Sequence, residues 1–136
     1  MLAGGGQAPD GDGVKALGPV RDDRLLADAY RAADVYAVPT TADVLTKTAP
    51  EAIATGTPCV AFDRGGVTDV VRHYESGYQA RFGDVHDLRN GLALLLGDDG
   101  LRSRLGRGGR ELAEREFSTE VQVDRYLTLY EDALAS

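Results

Sequence analysis

The run Val35-Tyr36-Ala37-Val38-Pro39-Thr40-Thr41, followed by Pro50-Glu51-Ala52-Ile53-Ala54-Thr55-Gly56-Thr57-Pro58-Cys59-Val60-Ala61-Phe62, decides the fold. Val35 to Val38 is short, apolar and rich in β-formers, and Pro39 with two threonines ends it as a strand. Pro50 to Ala54 reads as a helix, with proline where the first turn tolerates it and Gly56 where a helix stops. Cys59 to Phe62 is a second apolar strand, Gly65-Gly66 a loop, Val67 to Arg72 a short helix and Gly77 to Ala80 a brief third strand. Strands that alternate with helices predict a parallel sheet.

The same reading extends outward. Asp22 or Asp23 caps a helix whose apolar positions Leu25, Leu26, Ala29 and Tyr30 recur at helical spacing, and Val14 to Leu17 is a short strand closed by Gly18-Pro19. Met1 to Ala3 reads as the tail of a strand before the glycine-rich stretch at Gly4-Gly5-Gly6. From Asp84 onward the chain is helical. Leu88, Leu92 and Leu95 share one face, Leu101, Leu105 and Leu112 continue, and Val121, Tyr126, Leu129 and Tyr130 mark the last helix, with Ser118 as its cap.

Composition narrows the function. The 136 residues, 43% hydrophobic and 27% charged, suit one small globular core, and a two-domain enzyme with a cleft between its halves needs well over twice that length. A single domain over 1–136, apparently truncated, is the expectation. A net charge of −7, with basic residues scattered among acids, opposes nucleic acid as a partner. No apolar run approaches the ~20 residues of a membrane span and no secretory signal is legible at the start, so a cytoplasmic protein without a transmembrane segment is expected. Cys59, the lone cysteine, sits in a strand of core character and has no internal disulfide partner. His73 and His86 have no companions at metal-ligand spacing and, with Asp69, read as surface or helix residues.

Chemistry concentrates between Thr40 and Glu51. Asp43 and Glu51 flank a strand-end loop and a helix start at the carboxyl edge of the expected sheet, where open α/β sheets bind ligands. The helix start carries unpaired N–H groups and partial positive charge, so the backbone of Leu45, Thr46, Lys47 and Thr48 suits a pyrophosphate, with Lys47 as a nearby cation. The two carboxylates suit sugar hydroxyls as hydrogen-bond acceptors. Spacing alone leaves a plainer reading open, with Asp43 a solvated loop residue and Glu51 a helix-start acid favoured by the dipole. Gly65-Gly66 is either a tight turn or a close approach to a ligand, and Arg64 either approaches phosphate or is solvated.

Thr40 to Ala61 as a whole resembles the signature of family 4 of the retaining glycosyltransferases. There, two glutamates spaced as Asp43 and Glu51 are precede an Ala-x-Ala-x-Gly-x-Pro-x-Val segment, here Ala52 to Val60. The likeness continues upstream through Ala33-Asp34-Val35-Tyr36-Ala37-Val38-Pro39 and downstream through Gly65 to Val71, Ser76-Gly77-Tyr78, Gly83-Asp84 and the closing helices. It implies a partial Rossmann-like parallel sheet with flanking helices and a C-terminal helical segment. This is the later part of the nucleotide-sugar-binding domain of the two-domain GT-B fold.

By the same resemblance, Glu51 accepts hydrogen bonds from ribose hydroxyls, Asp43 faces the transferred sugar, and Leu45 to Thr48 with Gly65 and Gly66 line the donor site. Asp43 is one methylene shorter than the family's glutamate, and Thr46-Lys47 replaces a frequent Gly-Leu. The partner implied is a nucleotide-sugar, with no cofactor and no metal, and a second chain is a candidate source of the acceptor half. The basic residues that neutralise the leaving diphosphate in the family fall outside this region, so a donor-binding part of a transferase, a non-catalytic nucleotide-binding module and an interaction-only remnant stand as alternatives.

Overall fold

The computed structural model describes residues 2, 3, 13–41 and 46–135. The chain runs β1 (Leu2–Ala3), β2 (Ala16–Gly18), α1 (Asp23–Arg31), β3 (Tyr36–Val38), α2 (Thr48–Ala54), β4 (Cys59–Phe62), α3 (Val67–Val70), β5 (Gly77–Ala80), α4 (Val85–Gly97) and α5 (Asp99–Leu112). A π-helical turn, Ala113–Phe117, and α6 (Thr119–Ala135) follow. β3, β4 and β5 form a parallel sheet in sequence order, with Tyr36 opposite Cys59 and Cys59 opposite Gly77. β1 pairs in parallel with β2 as a separate two-stranded piece. The expected parallel α/β architecture is therefore present, with its ladder in two parts among the described residues.

β4 is the centre of the core. All four of its residues are buried, as a parallel strand covered on both faces must be. Side chains alternate along a strand, so Cys59 and Ala61 join Val38, Ala49, Ala52, Ile53, Val67 and Val70 on one side. Val60 and Phe62 join Ala80, Leu88, Leu95 and Leu105 on the other. The buried Cys59 thus packs as a small hydrophobe, and burial pushes its thiol pKa far up.

Local chemistry sets the helix ends. The Asp22 carboxylate accepts the N–H groups of Arg24 and Leu25, both at 2.9 Å, and fixes the start of α1. Asp84 and Asp98 cap α4 and α5 in the same way, and Ser118 Oγ accepts the Val121 N–H at 3.3 Å at the start of α6. α3 stops at Val70 rather than at Arg72, because the buried Ser76 hydroxyl donates to the Val70 carbonyl at 2.6 Å and accepts the Arg72 N–H at 2.8 Å. One buried hydroxyl thereby replaces a further helical turn. At the amino end the strand is Ala16–Gly18 rather than Val14–Leu17, since among the described residues Ala16 and Gly18 are the ones that find register partners, on β1.

Two apolar patterns face solvent. Leu25 is 59% exposed, while Leu26 and Tyr30 of the same helix pack against the core cluster that includes Ala49, Ala52 and Ile53 of α2. None of the residues of α6 is buried, and Tyr126, Leu129 and Tyr130 are all exposed.

Candidate functional site

The carboxyl ends of the three central strands, Val38, Phe62 and Ala80, lie at one edge of the sheet, and the chain leaves that edge at Pro39, Asp63 and Arg81. Helix α2 rises from that edge with Lys47 as its cap and Glu51 in its first turn. Lys47 makes no side-chain capping bond and Pro50 has no N–H, so the helix ladder opens with the Glu51 N–H donating to the Lys47 carbonyl at 3.4 Å. The earlier N–H groups of such a turn have no acceptor within the helix, which leaves positive potential at its start.

Glu51 is exposed while the neighbouring Ala52 and Ile53 are fully buried. This places the carboxylate on the solvent side of a helix anchored from beneath. It borders two shallow clefts. One, of about 340 Å³, lies between α1 and α2 and is lined by Asp23, Leu26, Ala27, Tyr30, Glu51 and Thr55. The other, of about 320 Å³, is lined by Pro50, Glu51, Ala54, Ala113, Phe117 and neighbours from the π-helical turn. Wide turns of that kind are frequent near functional sites.

One carboxylate oxygen of Glu51, Oε2, accepts the Tyr30 hydroxyl at 3.0 Å. Tyr30 is buried, its ring meets Tyr36 edge-on at 5.2 Å between centroids, and its carbonyl accepts the Thr57 hydroxyl at 2.7 Å. Burial, then the neighbouring Tyr36, then Glu51 itself push the Tyr30 phenol well above its usual range, so the hydroxyl stays protonated as a donor. In the sequence Tyr30 is legible only as an apolar helix position. A tyrosine at the buried end of an apolar stripe needs a partner for its hydroxyl, and that is the signal available in sequence.

The remaining site residues divide. Thr46 is half-buried, and its hydroxyl is the one buried side-chain oxygen without a hydrogen-bond partner among the described residues. Lys47 is exposed and Thr48 half-buried at the start of α2. Gly65 adopts φ +67°, a left-handed conformation that favours glycine, and Gly66 caps α3. Both glycines thus lie at the same sheet edge as the start of α2, and α2 packs against α3. Asp43 and Leu45 lie outside the described residues. Arg64 is exposed, with its guanidinium 4.3 Å above the Phe82 ring, and Phe82 in turn packs edge-on against Phe62. His73 accepts the Gln79 N–H through Nδ1, and no group of three or more metal-ligating side chains occurs among the described residues. No helix among them is long and apolar enough to cross a membrane.

Comparison with known proteins gives a consistent result. The sequence pattern of the family described as Glycosyl transferases group 1 matches residues 8–112. A D-inositol 3-phosphate glycosyltransferase of Corynebacterium glutamicum (strain R) is 37% identical over 123 residues, which cover 90% of this chain and 29% of its own length. Among solved structures, a sucrose-phosphate synthase from Thermosynechococcus elongatus superposes with a TM-score of 0.84 at 33% identity, over 92% of this chain and 31% of that one. An Anabaena protein solved in complex with UDP superposes with a TM-score of 0.73 at 25% identity, over 86% of this chain and 32% of its own. The chain spans about 30% of the length of each of these proteins.

Proposed function

The chain belongs to the group 1 glycosyl transferases, and from that premise we propose that it forms the donor-binding part of a retaining, nucleotide-sugar-dependent transferase. The observation that carries this reading is Glu51. It is an exposed carboxylate on the first turn of a buried helix, at the carboxyl edge of a parallel sheet, with Oε2 engaged by a buried tyrosine. Such an acceptor, held on a rigid support, suits a pair of vicinal ribose hydroxyls. The start of α2 and the adjacent Lys47 supply positive potential for the diphosphate, and Thr46 a hydroxyl for the same ligand. Gly65 and Gly66 let the backbone approach the ligand from the neighbouring loop. Asp43 is assigned the sugar-facing acid.

In this reading the chain binds and orients the donor. Transfer to an acceptor requires a further part, on the same or another polypeptide, that holds the acceptor and supplies cations to the departing diphosphate. The reaction needs no metal or other cofactor, and a cytoplasmic location gives access to nucleotide-sugars.

Calorimetric titration with UDP, GDP and ADP tests this. Saturable binding of one nucleotide is expected, weakened by about 1 kcal/mol or more in Glu51→Gln, as for a lost hydrogen bond to a charged group. Failure of a folded chain to bind any of the three, or equal binding by Glu51→Gln, would overturn the reading.

A further inference from the structure

We propose that Tyr30 is a positioning residue for Glu51, holding its carboxylate in the orientation that accepts ribose hydroxyls; this rests on the donor-binding role given to Glu51 above. The two side chains differ in freedom. Glu51 is exposed and has three rotatable bonds, so nothing in its own helix selects one orientation of the carboxylate. Tyr30 is 7% exposed, closed in by the Tyr36 ring at an interplanar angle of 88°, and sits on a helix end whose carbonyl is tied to Thr57. When a fixed donor meets a mobile acceptor at 3.0 Å, the donor sets the geometry.

The bond leaves capacity for a ligand. An ionised carboxylate has about four lone-pair sites on two oxygens. Tyr30 occupies one of those on Oε2, so Oε1 and the second lone pair of Oε2 remain for two vicinal hydroxyls. Asp23, Leu26, Ala27 and Thr55 complete the cleft beside this pair, and among the described residues none of them hydrogen-bonds to either Glu51 oxygen. The phenol is also the right donor for the task. A phenol is already protonated at neutral pH and burial raises its pKa further, so it does not compete with Glu51 as a second negative charge.

The test compares Tyr30→Phe with wild type and Glu51→Gln in binding UDP, GDP and ADP and their 2′,3′-dideoxy forms. The phenylalanine keeps the ring and removes only the hydroxyl. The ribonucleotide that binds is expected to weaken by about 2- to 10-fold, as for the loss of one hydrogen bond, while its dideoxy form is unchanged. The preference for ribose therefore falls. In Tyr30→Phe combined with Glu51→Gln the preference is expected to be no lower than in Glu51→Gln alone.

A merely structural role for Tyr30 lowers the melting temperature and weakens both nucleotide forms equally, and that result overturns the proposal. Should Tyr30→Phe fail to fold, Tyr36→Leu loosens the ring while leaving the Tyr30 hydroxyl in place, and is expected to lower the ribose preference by a smaller factor. An unchanged preference there also overturns the proposal. If wild type prefers ribose through Glu51 but Tyr30→Phe prefers it equally, the positioning role fails and the donor site stands. If wild type binds none of the three nucleotides, both fall together.

Discussion

Replacing Gly106 by alanine tests the packing that supports the candidate site. Gly106 lies on α5 where that helix passes the end of α2, and a Cβ built there would stand 2.3 Å from the Gly56 carbonyl oxygen, 3.3 Å from its carbonyl carbon and 3.7 Å from Pro58 Cδ. A carbon normally stays about 3.3 Å or more from a carbonyl oxygen, so the two backbones must part by about 1 Å. Neither side yields easily. α5 is pinned by Leu105 and Leu112, both fully buried, and Gly56 holds the left-handed turn, φ +83°, that ends α2.

Overpacking of a core costs about 1–3 kcal/mol, and a backbone-to-backbone clash belongs near the top of that range. Alanine returns up to about 1 kcal/mol of helix propensity. The net loss is about 2 kcal/mol, which for a chain of this size lowers Tm by roughly 6–8 °C. Gly97→Ala is the control. It is the same chemical change on a helix, but nothing lies within 4 Å of the added carbon, so stability is expected to hold or rise by up to about 0.5 kcal/mol. Thermal and urea denaturation followed by circular dichroism measures both. If Gly106→Ala is as stable as Gly97→Ala, the close approach of α5 to the end of α2 is wrong.

Two further outcomes follow from groups outside the candidate site. Glu116, on the π-helical turn, accepts both terminal nitrogens of Arg72, and that pairing, with Arg115 adding to it, holds the carboxyl below its usual range. A lowered folded pKa contributes stability above the unfolded value of about 4.3 and loses it as pH falls through the folded value. Glu116→Gln is therefore expected to be less stable than wild type at pH 7 and to lose less on acidification from pH 5 to 3, measured by urea denaturation across that window. An identical pH dependence in the two proteins would remove the pair from the account of stability. Cys59 is fully buried with its thiol pKa raised, so Ellman's reagent at pH 8 is expected to leave the native chain unmodified and to label it promptly in urea. Prompt labelling without denaturant would show that β4 is not the central strand.

Much of this architecture is legible in the sequence. Cys59 to Phe62 announces a strand buried on both faces because it is continuously apolar, and the structure divides its side chains between two core clusters. Asp22 and Ser118 stand where helix caps belong and accept the expected N–H groups, while the caps at Asp84 and Asp98 emerge only in the structure. The early end of α3 was not legible, because it depends on Ser76, six residues beyond Val70 and unremarkable in any local pattern. Nor was the exposure of α6, whose Tyr126, Leu129 and Tyr130 repeat at helical spacing whatever lies beside them. Periodicity reports which face is apolar and not what covers it. At the site, Glu51 was legible through its motif and its place after a strand. Tyr30 was not, since the contact joins side chains 21 positions apart and depends on how α1 lies against α2.

That dependence bears on how the site is made. α2 has seven residues, well below the ~12–15 at which an isolated helix begins to hold in water, and its cap makes no side-chain bond. Its position is therefore set by its neighbours. It is packed against α1, α3, α5, β3, β4 and the π-helical turn. Gly109 permits the contact with α5, since a Cβ there would lie 3.2 Å from the Ile53 Cβ. The turn contributes Ala113 to the same core cluster as Ala49, Ala52 and Ile53. The side of α2 that meets these neighbours is apolar and closed, and the side that carries Glu51 is open except where Tyr30 reaches it. The orientation of Glu51, the carboxylate assigned to the ribose, is thus a tertiary property. Packing fixes the helix, a buried phenol fixes the side chain, and the motif supplies only the acid.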